Sequence, residues 1–175
     1  LKKSFISFNI NEKINLILIS LKNDLKSFDV ESLGASFYDY VKKNSYNNIS
    51  IIADSVKSKP ERDFVGRFIH GFKLKSYEFN IYKSKITKNN ITINLIGKQS
   101  SLAIKNKLNF KALEEGTNFT KDLVSEPGNI LHPDEYARRL LKLKKLGLRV
   151  TVYDKQKLKK LGMNALLGVG QGSIR

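Results

Sequence analysis

The side chains of this 175-residue chain that are capable of chemistry are few enough to weigh one at a time. Asp122 and Glu126 stand four residues apart, so on a helix they share a face, and a carboxylate pair at that spacing is able to hold a divalent cation. The better reading of the pair is scaffold, since Glu126 directly precedes Pro127 at a helix end and Asp122 follows Lys121. His70 lies between Ile69 and Gly71, and His132 falls in a turn. There is no cysteine, no His-x-x-x-His and no His-Glu pair, so a zinc site built within this chain is not indicated. Gly168-Val169-Gly170-Gln171-Gly172-Ser173 has the look of a phosphate cradle. It lacks the Gly-x-Gly-x-x-Gly spacing, the Gly-Lys-Ser/Thr ending and room for a following helix, and reads instead as a strand entering a tight turn where backbones approach closely. No serine occupies a Gly-x-Ser-x-Gly elbow.

Elements to position these residues follow from the apolar pattern. Ile14–Ile19 reads as a buried strand, and Glu31–Asn44 carries a helical stripe of Leu33, Phe37, Tyr40 and Val41. Asn48–Ala53 is a second buried strand. A helix opening at Pro60 continues through Phe64, Phe68 and Phe72 toward Phe79, and Ile91–Ile96 is a third strand closed by Gly97. A long helix over Ser101–Ser125 is stopped by Glu126-Pro127-Gly128-Asn129, because the residue before proline resists helical geometry. Asp134–Leu146 is helical up to Gly147. Leu148–Tyr153 is expected as a fourth strand, and Asp154 caps a short lysine-rich helix that Gly162 ends. Strands separated by helices predict βαβ units and a mostly parallel sheet with helices on both faces.

Two blocks in the second half carry a family resemblance. Lys121, Asp122, Leu123, Glu126, Pro127, Asn129 and Pro133 match an Arg/Lys-Asp-Leu-x-Asn-Glu-Pro-x-Asn-x-hydrophobic-x-Pro signature. Gly162, Met163, Leu166, Leu167, Val169, Gly170, Gly172 and Ser173 match a Gly-Met-x-x-Leu-Leu-x-Val-Gly-x-Gly-Ser signature. In this order and separation the blocks resemble the entry into the catalytic domain of the leucyl aminopeptidases, the hexameric two-metal cytosol aminopeptidases. A weaker likeness covers residues 31–100, where Phe79 and Tyr82 match a Phe-x-x-Tyr pattern. Ser125, His132 and Asn164 depart from the usual Asn, Thr and Gly.

The resemblance implies an α/β fold. Residues 1–100 would be a three-layer α/β/α macro-like N-terminal domain truncated at its start, 101–126 a connecting helix, and 127–175 the first βα elements of the catalytic domain. It implies a parent enzyme that removes N-terminal amino acids from peptides with two divalent metals, manganese or zinc, as a cytoplasmic homo-hexamer. The catalytic and metal-binding residues are expected downstream of Arg175. Asp122, Glu126, Pro127, Asn129, Pro133, Gly162, Met163, Gly170 and Gly172 would then be structural, and this chain alone inactive.

The net charge of +16 supports an alternative, a non-catalytic macro-like module with affinity for nucleic acid or a nucleotide. Against it, lysine outnumbers arginine 26 to 6 and is spread along the whole chain, so any nucleic-acid binding is expected to be weak. The longest apolar run is far short of a membrane span, and no secretory signal is visible.

Overall fold

The structure, a computed structural model, describes residues 4–22, 24–56, 63–86, 90–98 and 107–172. It divides into two compact units, Leu1–Thr120 and Lys121–Arg175.

The first unit is built around two packed helices, α1 (Ser27–Lys43) and α2 (Phe64–Lys75). Their apolar stripes supply most of the buried core: Val30, Phe37, Tyr38 and Val41 from α1, Phe68 and Phe72 from α2, joined by Ile49. Phe37 sits 5.3 Å from Phe68, and Tyr38 meets Phe72 edge-on at 5.1 Å between ring centroids. Two glycines allow so close a crossing. A Cβ on Gly34 would stand 1.9 Å from the Phe68 carbonyl oxygen, and one on Gly71 would stand 1.9 Å from that of Glu31. The stripe on α1 therefore forms as the spacing predicts. The helix begins four residues earlier than expected, with the Asp29 carboxylate accepting from the Lys26 N–H at 3.0 Å. On α2 the stripe stops short of Phe79, which lies beyond the helix and pairs edge-on with Tyr82. The proposed start at Pro60 lies outside the described residues.

Four strands flank these helices. β1 (Phe5–Asn9) and β2 (Asn15–Ile19) form an antiparallel hairpin, while β3 (Asn48–Ile52) and β4 (Thr92–Ile96) pair in parallel, Asn48 opposite Thr92. The α/β class holds and α2 lies in a βαβ unit between β3 and β4. The mostly parallel single sheet gives way to two two-stranded sheets. β1 was not anticipated, although Phe5-Ile6-Ser7-Phe8 makes up most of it, because the turn residues between the hairpin arms blend with polar flanks. Asp54 ties the strand ends together. It accepts the Lys98 N–H at 2.8 Å and crowds Gly97, whose φ of +110° is a conformation that suits glycine.

A third long helix, α3 (Lys107–Ser125), carries the division between the units within its length. The expected extension back to Ser101 lies outside the described residues. The second unit continues with α4 (Pro133–Leu141), a 3-10 turn over Lys142–Leu146, α5 (Lys155–Lys160) and α6 (Asn164–Gly170). Gly147 and Gly162 adopt left-handed φ values of +85° and +72° and end their helices as expected. Asp154 caps α5 by accepting from the Lys157 N–H at 2.7 Å. Two expectations fail here. Leu148–Tyr153 forms no strand, because an alternating segment becomes one only when a neighbour supplies hydrogen bonds, and no described strand stands beside it. The glycine block is helical up to Gly170 rather than a strand and turn. A Cβ on Gly168, Gly170 or Gly172 would meet nothing within 4 Å, so no close backbone approach explains these glycines among the described residues.

Candidate functional site

The first block of signature residues lies around one ion network at the end of α3. The chain stops being helical at Ser125, and the Pro127 carbonyl accepts from the N–H groups of Ile130 and Leu131, each at 2.9 Å, closing the turn. Asn129 is exposed on that turn, and Pro133 occupies the first position of α4. The turn aims α4 so that Arg139 reaches back to Glu126, Nη2 to Oε1 at 2.8 Å, while Nε donates to Glu135 Oε1 at 2.8 Å. The Glu126 side chain is only 2% exposed, so the guanidinium answers a carboxylate removed from water.

Glu135 is shared. Arg138 contributes a bidentate pair of hydrogen bonds, Nε to Oε2 and Nη2 to Oε1, both at 2.6 Å. Hydrogen bonds from Arg138 and then Arg139 hold the Glu135 carboxyl at about 2, well below its ordinary value of 4.5. A carboxylate this strongly committed to guanidinium groups is a poor proton acceptor and a poor metal ligand. Asp122 lies one turn before Glu126 and its carbonyl accepts the Glu126 N–H at 3.1 Å. Asp122 and Glu126 therefore belong to the helix end and the α3–α4 clasp.

Sequence reasoning found Glu126 but missed Arg139, its partner 13 residues on. The visible signal was the Glu135-x-x-Arg138-Arg139 spacing, which places both guanidiniums on the Glu135 face of a helix. Met163 and Gly162 connect α5 to α6, and Gly170 and Gly172 end α6, separate from the ion network in sequence and fold.

The first unit holds a second cluster. His70 is 5% exposed on α2, with Nδ1 3.3 Å from Glu114 Oε1 and its ring 5.1 Å from that of Phe110. Lys73 donates to the other Glu114 oxygen at 3.2 Å. This joins α3 to α2. His132 is the N-cap of α4 yet makes no side-chain cap hydrogen bond, and its Nδ1 is buried without a partner. Among the described residues, no group of three or more His, Cys, Asp or Glu side chains converges to hold a metal ion. The described residues do not fit a two-metal centre.

Comparison with known proteins adds a consistent set of likenesses. Residues 118–175 match the catalytic domain of the cytosol aminopeptidase family. A probable cytosol aminopeptidase of Phytoplasma australiense is 42% identical over 134 residues, which cover 75% of this chain and 27% of that protein's length. The chain thus spans about a quarter of that relative. Among solved structures, the bottromycin maturation enzyme BotP superposes with a TM-score of 0.75 at 20% identity, over 98% of this chain and 38% of BotP. A tomato leucine aminopeptidase variant does so with a TM-score of 0.73 at 19% identity, over 90% of this chain and 33% of that one. At these identities the structural likenesses establish the fold.

Proposed function

Because the chain belongs to the cytosol aminopeptidase family, we propose that it serves as the non-catalytic front of a peptidase that removes N-terminal amino acids from peptides. The observation that carries this is the 42% identity over 134 residues, joined by the match of residues 118–175 to the family's catalytic domain. In this reading residues 1–100 form the N-terminal domain, 101–126 the connecting helix and 127–175 the opening of the catalytic domain. The Glu126–Arg139–Glu135 clasp sets the angle at which the chain enters that domain. Asn129, Pro133, Gly162, Met163, Gly170 and Gly172 act as scaffold rather than as ligands. The whole enzyme would use manganese or zinc, assemble as a homo-hexamer and work in the cytoplasm; the support for these three points is the family resemblance.

The test is a transplant. The stretch of the Phytoplasma australiense relative that aligns with this chain is replaced by the present sequence, and leucine-amide hydrolysis is followed with manganese or zinc. The transplant is expected to turn over substrate, and the chain by itself to give no more than the metal-only blank. Turnover by the chain alone, or a folded transplant without activity, overturns the reading.

A further inference from the structure

We draw no further inference here: the strongest candidate, the His70–Glu114–Lys73 side-chain cluster where α3 packs on α2, pairs within itself as the helix contact already described, and among the described residues no third metal-ligating side chain joins it.

Discussion

At the scale of single residues, the second unit depends on charges whose behaviour is open to direct measurement. Glu135 has a folded pKa of about 2 against an ordinary 4.5. A depressed carboxylate contributes stability that is present above the unfolded value and is lost as pH falls through the folded one. The α4 clasp should accordingly weaken between pH 4.5 and about 2 and be indifferent to pH near neutrality. Carboxyl-carbon NMR of Glu135 should give a midpoint near 2, and a midpoint at its ordinary value would remove the clasp. His132 offers a gain. It stands at the N-cap of α4 without a side-chain cap bond, and Asp134 and Glu135 in the first turn meet the helix dipole in its place. His132→Thr should add a cap and remove a buried nitrogen without a partner, stabilising by about 0.5–1 kcal/mol in urea denaturation. The sequence marked Glu126 and His132 as noteworthy and was silent on Arg139. Local signals report a residue's own preferences, whereas the partner of a buried charge is chosen by a turn between two helices.

At the scale of elements, legibility followed the origin of each element's stability. The α1 stripe was readable because its residues bury themselves against one partner helix at a fixed spacing. Gly147, Asp154 and Gly162 were readable because caps are local chemistry. Leu148–Tyr153 was misread because alternation states only a readiness to pair, and the pairing partner is a property of the fold. The α1–α2 crossing gives the sharpest prediction at this scale. Alanine ordinarily stabilises a helix relative to glycine by roughly 1 kcal/mol. At Gly34 and Gly71 the added methyl meets backbone oxygen at 1.9 Å, which no rotamer change relieves. Gly34→Ala and Gly71→Ala should each destabilise the first unit by about 1–3 kcal/mol, read as a lower urea midpoint. A neutral or stabilising result would mean that the helices pack less closely.

At the scale of the molecule, burial is unevenly shared. All the fully buried apolar side chains described belong to the first unit, while Leu146, Leu148, Val152, Leu166 and Val169 in the second stay half or more exposed or nearly so, from 49% to 82%. Hydrogen exchange should therefore be faster across residues 126–172 than across α1, α2 and β3, and equal protection would contradict this. The charge of +16 predicts DNA binding that is weak, indifferent to sequence and lost as salt rises toward physiological levels; tight, sequence-selective binding there would revive the nucleic-acid reading. The β3–β4 ladder has one more consequence, in time rather than space. β1 and β2 are joined by a short turn, from Asn9 to Asn15, and close early. Asn48 and Thr92 must find each other across 43 intervening positions, and the loop entropy of that search is repaid only once α2 has docked on α1. Strand β4 should be the last piece of the first unit to arrive during refolding, and a nascent chain leaving the ribosome keeps the β4 side of β3 open until the residues through Ile96 have emerged.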